Sequence, residues 1–144
     1  MTQNEFLSII KSHGGAIGAA ADATTVQLAN VHLTQMRAAM LAPFIRELYA
    51  TTGGIQLGCA AIFGPAECAM GAGYPLPSIV DINHAIASID DMRGKTVFAR
   101  NNLFWFAFDA FGVCYMLDNL TLRPLRKYDD PYRAMTDCMA VGQL

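Results

Sequence analysis

The feature that most constrains the fold is a pair of apolar segments in the second half of the chain. Residues 103–108 read LFWFAF and residues 113–118 read VCYMLD. The intervening residues Asp109–Gly112 fit a type I turn, with aspartate at its first position and glycine at its last. This pattern predicts a β-hairpin. Neither face of its first strand is polar, although a strand with one solvated face alternates apolar and polar residues. We therefore expect this strand to lie mid-sheet under helices, or to present one face to a partner.

The composition indicates one domain with an unusual excess of apolar residues. A chain of 144 residues predicts a single domain spanning 1–144. Hydrophobic residues make up 53% and charged residues only 15% of it, whereas soluble domains carry about 25% charged residues. The difference favours either a large core or an apolar surface patch, and such a patch indicates contact with a protein partner or with a second copy in a homodimer.

The charge pattern argues against nucleic-acid and membrane functions. The formal net charge is −2 and no basic stripe is visible, so direct nucleic-acid binding is not expected. The cluster of Arg123, Arg126 and Lys127 is typical of a solvated strand edge. The longest apolar stretch, 103–117, contains an aspartate and a glycine and is shorter than the ~20 residues of a membrane-spanning helix. The N-terminus has no basic residue before its short apolar run, so we expect a cytoplasmic protein without a signal peptide.

Helices are predicted mainly in the first half of the chain. The spacing of apolar residues predicts a short helix over Glu5–Lys11 and a longer one over Thr34–Thr52. Pro43 is expected to restart the second helix, and Gly53–Gly54 to cap it. Residues 16–23, rich in small side chains, are predicted to form a loop.

Strands are predicted to follow in a cluster. The predicted elements are a first strand over Ile55–Phe63, an irregular loop over 65–77, a short strand or an extended entry to the next helix over Ser78–Ile82, a helix capped by Asn83, strands over Thr96–Ala99, Leu103–Phe108, Gly112–Asp118 and Thr121–Lys127, and a closing helix from Pro131 with Asp130 as its cap. Pro124 cannot donate a ladder hydrogen bond, so its strand should be an edge. Clustered strands favour an α+β fold with an antiparallel sheet of about five to six strands, packed with N-terminal helices and a C-terminal helix.

Three segments of the chain are similar to the SUKH superfamily, which includes Smi/Knr-like regulators and many bacterial immunity proteins. Pro43–Tyr49 followed by Gly53–Gly54 resembles the family's proline-led helix and its Asn-Gly-Gly-like turn, with Thr52 in place of the asparagine. In this chain, as in the family, an apolar strand follows, here over 57–63. The stretch 105–117 resembles the family's strand, Asp-x-x-Gly turn and strand, and a helix from Pro131 closes the domain.

The resemblance implies a non-enzymatic protein-binding domain without a cofactor, most simply an immunity protein that neutralises a secreted toxin. A cytosolic adaptor of the same fold, bound to a resident protein, is the alternative. Four residues are candidates for partner contact. Trp105 is either an aromatic anchor or a core residue, Asp109 and Asp118 either contact a basic toxin or stabilise turns, and Glu67 lies in a loop where no turn geometry requires it.

A small enzyme is a third hypothesis, and its sharpest form is a cysteine nucleophile. Cys68, His84 and Asp81 are the candidate residues, but spacing alone cannot place a thiolate beside an imidazole. The adjacent pairs Asp90–Asp91 and Asp129–Asp130 do not face a common substrate on a helix, and helix capping explains the second pair. The four cysteines are scattered and are predicted to be buried thiols, and no metal site is expected. These cysteines are Cys59, Cys68, Cys114 and Cys138.

Overall fold

A computed structural model describes residues 1–70 and 75–140 of the chain. Residues 71–74, part of the loop predicted over 65–77, lie outside this description. The helices are α1 (Gln3–Ser12), α2 (Ala23–Gln35), α3 (Pro43–Thr51), α4 (Ile79–Ile86) and α5 (Pro131–Met139), with a 3-10 helix at Asp90–Met92. The strands are β1 (Ala16–Ile17), β2 (Ile55–Leu57), β3 (Ala60–Ile62), β4 (Lys95–Arg100), β5 (Phe104–Asp109), β6 (Cys114–Asp118) and β7 (Pro124–Tyr128).

The strands form one antiparallel sheet whose spatial order is the same as the chain order. The predicted α+β class is confirmed, with seven strands in the described residues rather than five to six. The extra strands lie at the N-terminal end of the sheet. The predicted loop at 16–23 contains β1, and the single strand predicted over 55–63 is a hairpin. Gly58 makes its turn at φ +59, a conformation that favours glycine.

One side of β4–β7 is packed under helices. Phe108 is fully buried there, and its ring meets Phe44 of α3 edge-on with the ring centroids 5.7 Å apart. Tyr128 lies on the same side, because the register places it opposite Cys114, which in turn lies opposite Phe108. The Tyr128 hydroxyl donates a 2.7 Å hydrogen bond to Asp137 of α5. We call this side of the sheet, which faces α3 and α5, the covered face.

The N-terminal helices differ from the prediction in extent. The expected restart at Pro43 is confirmed, since α3 begins at this proline. Of the predicted helix before Pro43, only residues 34–35 are helical, as the end of α2, and residues 36–42 belong to no helix. Helix α2 starts at Ala23, in the segment predicted as a loop. The Asp22 carboxylate caps α2 by accepting a 2.8 Å hydrogen bond from the backbone N–H of Thr25. An aspartate that bonds to a free N-terminal N–H group is a strong start signal for a helix.

The glycines after α3 serve close packing and not the predicted cap. Thr52 ends α3 in an extended conformation, and its hydroxyl donates a 2.7 Å hydrogen bond to the carbonyl of Gly18. Gly53 donates a 2.6 Å backbone hydrogen bond to Ala19. A Cβ at Gly64 would overlap the Gly53 carbonyl oxygen. The close approach of these chain segments therefore leaves no space for a Cβ at Gly64.

Helix α4 replaces a strand partner along part of β4. The short strand predicted here is wrong, because the chain is helical from Ile79 and Ser78 is the cap, its Oγ accepting from the N–H of Asp81. Asn83, predicted as the cap, is buried inside the helix. Its Oδ1 accepts from the Val97 N–H and its Nδ2 donates to the Val97 carbonyl, both at 2.8 Å. The side chain thus provides hydrogen-bond partners for a segment of the β4 edge with which β3 does not pair.

The C-terminal half matches the prediction closely. The hairpin turn is closed by a 3.0 Å hydrogen bond from the Gly112 N–H to the Asp109 carbonyl. Asp130 caps α5, and Pro131 occupies its first turn. Pro124 lies in β7, which is an edge strand as expected. Within the described residues, none of the helices combines the length and apolar character needed to cross a bilayer.

Candidate functional site

On the other side of β4–β7, Trp105 and Tyr115 remain in contact with solvent, whereas Val97 and Leu117, which the register places on the same side, are fully buried. The register pairs Ala107 with Tyr115, and Tyr115 with Lys127, so these residues share one face. Trp105 lies on the same face, two residues along β5 from Ala107. Ala107 is fully buried, Trp105 and Tyr115 are partly buried, and Lys127 is exposed. We call this side the open face. Within the described residues, α3 and α5 thus pack on one face of the apolar strand, and Trp105 and Tyr115 are partly exposed on the other.

The Trp105 end of the open face is the more apolar end. Leu103 and Leu120 occupy the two turns at this end, with 64% and 88% of their surface exposed. The side-chain amide of Asn119 donates a 3.4 Å hydrogen bond to the Asn102 carbonyl, which holds the two turns together. Exposed leucines beside a partly exposed tryptophan are typical of a protein-binding surface.

The opposite end of the open face is polar and held by Asp109. One oxygen of this carboxylate accepts from the N–H groups of Phe111 and Val113 at 2.9 and 3.1 Å. The other oxygen accepts from the Tyr115 hydroxyl at 2.9 Å, and this bond raises the pKa of Tyr115 above its usual value. The Lys95 Nζ lies 5.3 Å from the centre of the Tyr115 ring. Asp109 therefore stabilises the turn and positions Tyr115, as the turn interpretation expected.

The four candidate contact residues do not form one cluster. Asp118 lies opposite Phe104 at the Trp105 end of the sheet, and its carboxylate accepts a 2.9 Å hydrogen bond from the Leu120 N–H. Asp109 lies at the far end of the same strand pair. Glu67 is exposed in the loop after β3, where it lines a cavity of about 190 Å³ near the start of α2. Asp118 therefore lies at the same end of the sheet as Trp105 but on the covered face, and Glu67 belongs to a different surface.

The proposed cysteine nucleophile lacks the contact that it would need. Among the described residues, no hydrogen bond joins the Cys68 thiol to the His84 ring, and the Cys68 Sγ lies 3.9 Å from the Ala69 carbonyl. Burial raises the pKa of the Cys68 thiol, which lowers its thiolate fraction. Over residues 1–70 and 75–140, the Asp81 side chain is not hydrogen-bonded to His84 either. The described structure therefore shows no hydrogen bond among these three side chains.

One aspartate of each adjacent pair has a structural partner. Asp130 accepts a 2.9 Å hydrogen bond from the Tyr132 N–H at the start of α5, which confirms the capping interpretation. Asp90 lies 3.8 Å from the Arg93 guanidinium in an exposed pair. Over residues 1–70 and 75–140, no group of three or more histidine, cysteine, aspartate or glutamate side chains has metal-site geometry.

The cysteines separate into two groups, which a labelling experiment can resolve. Cys114 and Cys138 are buried as predicted, but Cys59 is exposed and Cys68 only partly buried. Burial raises the pKa of Cys114 to about 12, and the charges of nearby Asp109 and Asp130 act in the same direction. At pH 8 the folded protein should react with an aromatic disulfide first at Cys59, and at least about 100-fold more slowly at Cys114 and Cys138. Cys59→Ser should remove the fastest phase. Rapid modification of Cys138 in the folded protein would contradict the packing of α5.

Sequence reasoning missed two of the three cationic side chains of the open face, and it assigned the third, Lys127, only to a solvated strand edge. Lys95, Arg100 and Lys127 come from separate places in the sequence, and only the register gathers them. Arg100 lies opposite Trp105, and Lys127 lies opposite Tyr115. The two-residue period of a strand shows which residues of β7 share a face with Lys127. Whether that face is also the one that carries Trp105 depends on the pairing of β7 with β6 and of β6 with β5.

Comparisons with protein-family models, with curated proteins and with solved structures found no match to this chain. The similarity of three segments to the SUKH superfamily therefore stays a prediction from the sequence.

Proposed function

We propose that the protein is a protein-binding domain that neutralises a toxin by docking its open face on the toxin. The observation that carries this proposal is the partly exposed Trp105 beside the exposed Leu103 and Leu120. Large aromatic side chains surrounded by aliphatic ones supply most of the binding energy in protein interfaces. The sheet beneath them is held rigid by the packed covered face, so little ordering is needed on binding.

The toxin as partner is supported by the resemblance of the chain to immunity proteins. In that family, contact through the sheet and its bordering loops is what the resemblance implies, and the open face with the turns at Leu103 and Leu120 has this arrangement. An immunity protein acts by occlusion and requires no chemistry of its own. Binding through a preformed surface is therefore sufficient for the proposed activity.

Co-expression with a toxin domain encoded next to this gene tests the proposal. We expect a complex that survives size-exclusion chromatography at micromolar concentration, together with loss of toxicity. Unreduced toxicity without a complex would overturn the proposal, as would a gene neighbourhood that encodes no secreted toxin. A complex with a resident cellular protein, formed through the same face, would instead identify the adaptor alternative.

A further inference from the structure

The open face carries cations whose charge is not neutralised within the described part of the chain. Arg100 and Lys127 are exposed and Lys95 is partly buried. In residues 1–70 and 75–140, no carboxylate lies within 4.0 Å of any of these three groups. Arg126, on the covered side of β7, differs because its guanidinium lies 3.0 Å from the Asp137 carboxylate. The fold thus keeps positive charge on the open face although the whole chain has a net charge of −2.

The cations lie on the strands that carry the aromatic residues of this face or on the neighbouring strands, and the Arg100 guanidinium itself lies over the ring of the buried Phe63, 5.6 Å from its centroid. Arg100 is opposite Trp105 across β4 and β5, Lys127 is opposite Tyr115 across β6 and β7, and the Lys95 Nζ lies over the Tyr115 ring. The one carboxylate among the strand residues of this face belongs to Asp109, and three hydrogen bonds already engage it. An approaching partner therefore meets an apolar centre bordered by positive charge.

We infer that the partner of the open face is an acidic protein surface, whose carboxylates meet Lys95, Arg100 and Lys127 around an apolar contact with Trp105. This inference rests on the proposed function and differs from the expectation of a basic toxin. A basic surface would bring like charges together at this face, which costs binding energy and slows association. A symmetric face-to-face dimer would also bring like charges together, because both copies of the chain present the same cations.

Single-stranded nucleic acid fits the face less well than an acidic protein does. Binding of single strands relies on aromatic rings that are free to stack on successive bases. The Tyr115 ring is covered by Lys95 and its hydroxyl is bound to Asp109. Of Tyr115 and Trp105, only Trp105 remains available as a stacking surface.

A titration of the labelled full-length chain with defined probes tests the inference without the natural partner. The probes are a short glutamate-rich peptide with a central leucine, a lysine-rich peptide of the same design, and single-stranded oligodeoxythymidine. We expect the glutamate-rich peptide to shift the NMR signals of the Trp105 indole and of the Arg100 and Lys127 amides. The double variant Arg100→Glu/Lys127→Glu should weaken this binding at least about tenfold.

The matched control is Lys11→Glu/Arg133→Glu, which changes the net charge equally on exposed residues of α1 and α5. It should change the affinity by less than about twofold. Tighter binding of the lysine-rich peptide or of the oligonucleotide, or shifts confined to another surface, would overturn the inference.

The failure of this inference is distinguishable from failure of the proposed function. A toxin complex that survives Arg100→Glu/Lys127→Glu unchanged, but is lost in Trp105→Ala, keeps the proposed function and overturns the acidic partner. Binding of the glutamate-rich peptide to the open face, without any toxin complex, overturns the toxin and keeps the acidic partner.

Discussion

Trp105→Ala is expected to weaken the complex with the toxin domain at least about 30-fold, since tryptophan hot spots contribute about 2 kcal/mol or more. Trp105 is the largest side chain on the open face, and it lies opposite Arg100 on β4 and Leu117 on β6, two residues along the chain from the exposed Leu103. Truncation removes the only indole of the chain from this surface. Isothermal titration calorimetry with the purified toxin domain measures the change directly.

The control for this variant is Phe111→Ala, which removes an aromatic side chain that is 91% exposed at the hairpin turn. It lies at the far end of β5 from Trp105, so we expect a change in affinity of less than about twofold. Trp105→Phe should fall between the wild type and Trp105→Ala, because it keeps part of the apolar contact. Equal losses in Trp105→Ala and Phe111→Ala would contradict a binding site centred on Trp105. If Trp105→Ala fails to fold, Leu103→Ser probes the same end from an exposed turn.

How much of this site the sequence reveals depends on the range of the interactions involved. The hairpin follows from local signals, because Asp109 and Gly112 fix a turn by hydrogen bonds within the turn itself. The composition of the open face depends on pairing between strands that are distant in sequence, and a shift of one residue would exchange the two faces. Trp105 was therefore identified as a candidate from its chemistry, while Arg100 and Lys95 were not.

The N-terminal half was predicted less well for a different physical reason. Leu28 and Val31 are exposed on α2, so its apolar residues do not form the single stripe by which an amphipathic helix is recognised. The capping signal at Asp22 was present but lay in a run of small residues that resembles a loop. The two-residue β1 is too short for a periodic pattern, and only its pairing with β2 defines it.

The Asn83 side chain illustrates the same limit, because its role depends on a backbone segment 14 residues away. Asn83→Ala should lower the free energy of unfolding by about 3 kcal/mol, since it leaves the buried N–H and carbonyl of Val97 without partners. The loss of a further bond, from Nδ2 to the Ile79 carbonyl, acts in the same direction. Urea denaturation followed by tryptophan fluorescence and circular dichroism measures this change.

His84→Ala is the matched control, because it truncates the next, exposed residue of α4 and should change stability by less than about 0.5 kcal/mol. Asn83→Asp discriminates between packing and hydrogen bonding. It keeps the volume and the acceptor for the Val97 N–H but removes the donor to the Val97 carbonyl and buries a charge, so it should also be strongly destabilised. A stable Asn83→Asp would contradict the hydrogen bonds assigned to this residue.

Since β4 lies beside β5, loosening the edge of β4 should also weaken partner binding at Trp105. A loss of affinity in Asn83→Ala would connect the packing of α4 to the open face.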